Sequence, residues 1–178
     1  MRMRLRLFYV IVSALLRRRT LAISEQSVLS LTVMPWDCVL QHMGNDRYHA
    51  FMDLGRIDLA IRLGWARTIL KGRWHPQVIG CYVRYEFPLT VFDRFFLHTY
   101  IVYSTETSVW MAHQFEKGGI VYSSAISKMV AVSNYQVVRL GKLYNYNTGI
   151  RRWPFRKDTV TLFDHINTIL KELHAFIF

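Results

Sequence analysis

Between Asp46 and about Leu63 the sequence repeats apolar residues at helical spacing, with a glycine in the middle of the repeat. Tyr48, Met52, Gly55, Leu59 and Leu63 fall on one stripe, flanked by Phe51, Leu54 and Ile61. A glycine inside a helix costs roughly 1 kcal/mol against alanine, so Gly55 predicts that a sheet approaches the bare backbone there. Asn45 is suited to cap the free amides at the helix start, and Asp46 adds negative charge to the first turn. Asp58 and Arg62 have the spacing of an ion pair on the more polar side. Such a helix belongs in an interior, and the rest of the chain must wrap around it.

The flanking sequence supplies the wrapping. Ser27 to Val33 is rich in β-branched residues, partly alternates, and stops at Pro35, as a strand does. After the helix come Gly80–Phe87, interrupted by Pro88, then Phe95–Tyr103, Ser108–Phe115 and Ile120–Val132. Glu116-Lys117-Gly118-Gly119 is a hairpin turn signal. The expected order is strand, long helix, then a meander of four strands, an α+β chain. A closing helix is expected from Thr159 to about Phe176, with Leu162, Ile166, Ile169, Leu170 and Leu173 on its apolar side.

The 178 residues suit one compact domain, and 52% hydrophobic and 15% aromatic content exclude a disordered chain. The segmentation read from the sequence is a basic, apolar N-terminal helix over 1–24, the main domain over 25–135, and a C-terminal extension with a helix over 136–178. Cys38 and Cys81 have no metal-ligand or redox spacing, so reduced thiols, a cytoplasmic setting and no metal are the expectation. The net charge of +11 favours anionic partners. It is concentrated at Arg2, Arg4, Arg6 and Arg17–Arg19 and again at Arg151, Arg152, Arg156 and Lys157, which argues against a continuous nucleic-acid face. The apolar run from Leu7 to Leu16 is shorter than the roughly 20 residues of a membrane span. Arg17-Arg18-Arg19 stands where a secretion signal would carry a cleavage site, so the reading preferred for residues 1–20 is a helix docked on the core or on a membrane surface.

The segment His42-Met43-Gly44-Asn45-Asp46-Arg47-Tyr48, followed by Met52-Asp53-Leu54-Gly55-Arg56-Ile57-Asp58-Leu59, resembles the loop and central helix of hotdog thioesterases. The relatives indicated are bacterial thioesterase-like proteins related to 4-hydroxybenzoyl-CoA thioesterase, and Val83-Arg84-Tyr85 agrees with the same pattern. The resemblance covers roughly Ser27 to Ala131. It implies a sheet of about five antiparallel strands around the central helix, and a homodimer or a higher oligomer of dimers. It also implies hydrolysis of an acyl-CoA or acyl-carrier thioester without a cofactor. The family loop reads Asp-x-Asp-x-x-Gly-His-x-Asn-Asn-x-x-Tyr. Here Asp37 matches the first Asp, Val39 stands at the second, the glycine before His42 is missing, and Gly44 replaces the first Asn.

Thioester hydrolysis needs donors for the developing oxyanion and a carboxylate to activate water. The start of the central helix offers unpaired amides at Gly44 and Asn45. Asp37 is the nearest carboxylate, either activating water or accepting loop N–H groups to shape the turn. In the first role, Asp37→Ala abolishes hydrolysis and leaves the fold intact. Asp53 is the second candidate, or else a partner of Arg56. His42, Met43, Tyr48 and Arg84 are the expected substrate contacts. The alternative function is a non-catalytic acyl-binding or scaffolding protein, prompted by Val39.

Overall fold

The computed structural model of the chain describes residues 2–17 and 20–143. It runs through helix α1 (Arg2–Leu16), strand β1 (Ser27–Thr32), a 3-10 turn at Pro35–Asp37, and a small ladder of β2 (Cys38–Val39) and β3 (His42–Met43). Helices α2 (Asn45–Arg62) and α3 (Trp65–Lys71) follow, then strands β4 (His75–Tyr85), β5 (Arg94–Ser104), β6 (Ser108–Lys117), β7 (Ile120–Ser133) and the short β8 (Gln136–Val137). The closing helix expected from Thr159 and the second basic cluster lie outside the described residues.

All strand pairs are antiparallel, in the order β1-β5-β6-β7-β4, with β8 on the end of β7. The meander expected after the helix is three strands long, not four. β5 has β1 on one edge (Ser27 opposite Thr99) and β6 on the other, which leaves β4 no place beside it. β4 therefore pairs with β7, from His75 opposite Val132 to Tyr85 opposite Ser123. The sheet curls around α2, which is the α+β hotdog arrangement anticipated above.

α2 ends where Gly64 turns to φ +76°, a left-handed conformation that a helix stop favours in glycine. Its stripe is buried at Tyr48, Met52, Gly55 and Leu59, with Phe51 and Leu54 beside them, while Ile61 and Leu63 near its end are half-buried. At Gly55 a Cβ would collide with the Thr99 hydroxyl of β5 and stand 3.1 Å from Leu97. The sheet approach predicted from the glycine is therefore present. Asp58 departs from its expected polar side. It is fully buried, accepts a 2.5 Å hydrogen bond from Ser27 of β1, and has Arg62 at 3.7 Å.

The core falls into two apolar clusters, one around Phe51, Phe95 and Phe115 and one around Leu59, Trp65, Ile101 and Met111. A polar layer lies between them. On three neighbouring strands a polar residue stands at this level of the inward alternation: Thr99 between Leu97 and Ile101, His113 between Met111 and Phe115, and Ser127 between Ala125 and Met129. α1 closes the other side of α2, with Val10 in the first cluster and Met3 and Leu7 packed against it.

Candidate active site

The loop before α2 is held by backbone bonds: Gly44 N–H donates to Asp37 O at 2.9 Å and Met43 N–H to Leu89 O at 2.8 Å. These keep the chain extended through Gly44 (φ −64°, ψ 144°), and the helix begins at the next residue, one position earlier than the sequence suggests. Gly44 is the N-cap and Asn45 the first helical residue, which corrects the capping role expected of Asn45. Among the described residues no side chain caps this end, but the Gly44 N–H, expected to be unpaired, is held by Asp37, so the amides left to a ligand or to water are those of Asn45 and Asp46. Added bulk at Gly44 would meet the Asp46 carboxylate at 2.7 Å.

Asp37 sits directly beneath this loop and is buried. Arg6 of α1 reaches it at 2.7 and 2.9 Å, and the Met34 N–H donates to it at 2.9 Å. Arg6 also donates to Thr32 O at 3.0 Å and stacks over Phe51, 4.9 Å from the ring centroid. Both carboxylate oxygens are thus engaged in shaping the loop. An Asp37→Ala substitution strands the half-buried Arg6 guanidinium, so the expected intact fold does not follow.

The remaining expected contacts spread apart. His42 is exposed and bridges Thr90, while Met43 is buried under the loop. Tyr48 is buried edge-on between Tyr85 and Phe115, at 4.9 and 5.0 Å, and its hydroxyl accepts from Leu89 N–H at 3.4 Å. Burial raises the Tyr48 pKa and keeps the phenol protonated. Arg84 is exposed and paired with Glu86. Asp53 lies eight residues into α2, 64% exposed, with Arg56 2.6 Å away, which realises the pairing foreseen for it.

Asp53 and Arg56 form part of the wall of a cavity of about 540 Å³ beside α2. Leu54 and Ile57 of α2, Met111 of β6, Met129 of β7 and Trp65 of α3 line it, and among the described residues no other charged side chain does. Behind Arg56 stands the polar layer. Its guanidinium lies 3.3 Å from His113 Nε2 and donates to the Ser127 hydroxyl at 3.3 Å. Ser127 is itself 3.0 Å from the same imidazole nitrogen, and Thr99 is 3.2 Å from His113 Nδ1. A guanidinium only donates, so Nε2 accepts and Nδ1 carries the proton toward Thr99. Complete burial, with Arg56 and His49 nearby, holds His113 well below the ordinary imidazole pKa and therefore neutral.

Sequence reasoning missed this layer. Its signal was present as polar residues among the apolar ones at the inward parity of β5, β6 and β7. Among the described residues, no three His, Cys, Asp or Glu side chains come together to hold a metal.

The model of the thioesterase-like superfamily matches residues 33–158. The chain belongs to that superfamily. Among solved structures it resembles a gentisyl-coenzyme A thioesterase at 20% identity, covering 66% of this chain and 98% of that one with a TM-score of 0.62. It also resembles 4-hydroxybenzoyl-CoA thioesterase from a Pseudomonas species at 14% identity (67% and 99% covered, TM-score 0.59). A third likeness is to a thioesterase from Thermus thermophilus solved with coenzyme A and zinc, at 22% identity (64% and 84% covered, TM-score 0.56). No curated protein matches the chain.

Proposed function

We propose that this member of the superfamily hydrolyses acyl-CoA thioesters to a free acid and coenzyme A. The observation that carries the reading is the apolar cavity along α2 with Asp53 as the one carboxylate that the described residues place on its wall. The cavity takes the acyl chain, Asp53 removes a proton from water as its oxygen attacks the carbonyl carbon, and the first-turn amides of α2 at Asn45 and Asp46 receive the oxyanion. Collapse of the tetrahedral intermediate breaks the C–S bond and releases the thiolate, which is protonated to the thiol. Among the structural relatives, the Thermus protein solved with coenzyme A supports this thiol carrier. Arg84 and the N-terminal arginines are the groups we assign to its phosphates.

Asp53 is eight residues beyond Asn45, about 12 Å along the helix, too far for both to act on one carbonyl within a subunit. We therefore place the working site between two copies, the helix start of one meeting Asp53 of the other. The eleven-residue edge strand β4 supports this, since Val78, Ile79, Tyr82 and Tyr85 are exposed along it and a long apolar edge is a template for pairing. The same reading assigns residues 1–20 to peripheral membrane contact.

The second reading, an acyl-binding protein without turnover, is favoured by one observation: Asp37, the carboxylate under the helix start, is held by Arg6. A panel of acyl-CoAs of rising chain length, followed by free-thiol release, separates the two. Thiol release that saturates with substrate is expected. Thermal stabilisation by acyl-CoA with no thiol released would replace hydrolysis by binding.

A further inference from the structure

The side of α1 turned away from the protein is as apolar as the side that packs on α2. Val10 and Ala14 are buried, with Met3, Arg6 and Leu7 half-buried beside them. Opposite them Leu5, Phe8, Tyr9, Leu15 and Leu16 are 63 to 75% exposed. Positions 5, 8, 9, 15 and 16 share one helical face. Single apolar residues at a surface are ordinary, but a helix that is apolar on all sides is normally covered by protein or by lipid.

Charge decides between the two covers. No acidic residue precedes Glu25, whereas arginines stand at 2, 4, 6, 17, 18 and 19. Arg6 is turned inward to Asp37, and Arg4 and Arg17 are exposed near the two ends of the apolar face. A second copy of this helix would bring like charges together. An anionic bilayer offers headgroups to the arginines and acyl chains to the leucines, the pattern of a helix lying in the interface. The 15 residues of α1 span about 22 Å, short of the roughly 30 Å hydrocarbon core. Among the described residues no helix is long and apolar enough to cross a membrane.

The inner side of the same helix reaches the cavity, where Met3 and Leu7 form part of the wall. One helix thus has lipid-seeking residues outside and cavity-lining residues inside. We propose that α1 seats the protein on an anionic bilayer surface, and that acyl thioesters with long chains dissolved in that surface are the substrates the cavity takes. The docking half stands on α1 alone, while the substrate half rests on the thioesterase reading.

The test uses the full chain and a Leu5→Ser/Phe8→Ser/Leu15→Ser variant, three exposed positions outside the cavity wall. Each is mixed with phosphatidylcholine vesicles, with and without phosphatidylglycerol, and floated on a density gradient. The natural chain floats with the anionic vesicles only, and the variant loses on the order of a hundredfold or more in partitioning. Anionic vesicles raise its turnover of a long-chain acyl-CoA and leave that of the variant unchanged, while both hydrolyse a short, water-soluble acyl-CoA alike. A natural chain that stays out of the vesicles, or a variant that floats equally well, overturns the docking. If the natural chain stays out and the variant sediments as a smaller species, a second copy covers the face. If no acyl-CoA is cleaved by either protein, the thioesterase reading fails and the flotation still decides the docking.

Discussion

The hydroxyl of Thr99 occupies the space where Gly55 would carry a side chain. This contact fixes how deeply α2 sits in the curl of the sheet, and it aligns the helix with the layer formed by Thr99, His113 and Ser127. Gly55→Ala gains at most about 1 kcal/mol in helix propensity and forces an overpacked contact costing about 1–3 kcal/mol. The expected net effect is a loss of stability on the order of 1 kcal/mol, read as a lower urea midpoint. A raised midpoint contradicts the close approach.

Asp53 and Asp37 are two carboxylates with opposite surroundings, and their amides should behave oppositely. Asp53→Asn keeps an acceptor for Arg56 and removes the base, so turnover is expected to fall by about 10²–10⁴-fold with the unfolding midpoint nearly unchanged. Asp37→Asn discharges a buried partner of Arg6, and breaking such a pair costs about 3–5 kcal/mol. Urea denaturation and steady-state thiol release on both variants check this. Full activity in Asp53→Asn removes Asp53 from the mechanism.

How much of this was legible beforehand follows from what each signal reports. The helix from Asn45 and the strands were readable because burial imposes a period on one element at a time. Gly55 was readable because its cost needs a cause. Strand order was not, since alternation in β4 says nothing about which edge it joins. That depended on β1 already occupying β5. Arg6 was equally hidden: a basic residue in an apolar helix looks solvated until a loop 31 residues away places Asp37 beneath it. The polar layer needed three strands in register before one threonine, one histidine and one serine became a single group. The Asp58–Arg62 pair was legible from its spacing, but the burial of Asp58 was not, because its partner Ser27 belongs to another element.

The exposed edge of β4 yields a prediction about assembly. If two copies pair along it, a charge placed at Ile79, which is 55% exposed, should separate them without unfolding either. Ile79→Lys puts an ammonium where an apolar strand surface meets its copy, the device by which natural edge strands avoid pairing. Analytical ultracentrifugation is expected to show a dimer for the natural chain and a monomer for the variant, with unchanged far-ultraviolet circular dichroism. Turnover should fall with the dimer, because the helix start and Asp53 then belong to no common site. A monomeric natural chain with full activity contradicts the shared site.

His113 gives the protein a pH signature in its stability. Its folded pKa lies well below the ordinary imidazole value, because burial disfavours the cation and Arg56 and His49 add positive charge nearby. In the unfolded chain it titrates near ~6.5. Below that pH the unfolded state binds a proton that the folded state refuses, so the unfolded state gains as pH falls. The contribution of His113 is complete above about 6.5 and is lost progressively as pH drops toward the folded pKa, with a slope of at most about 1.4 kcal/mol per pH unit. His113→Gln retains an amide oxygen for Arg56 and cannot take up the proton. Its urea midpoint should start lower at neutral pH and fall less steeply between pH ~6.5 and ~5 than that of the natural chain. Parallel profiles for the two proteins would mean that His113 charges within the fold, and that the Arg56–His113–Thr99 arrangement does not hold a neutral ring.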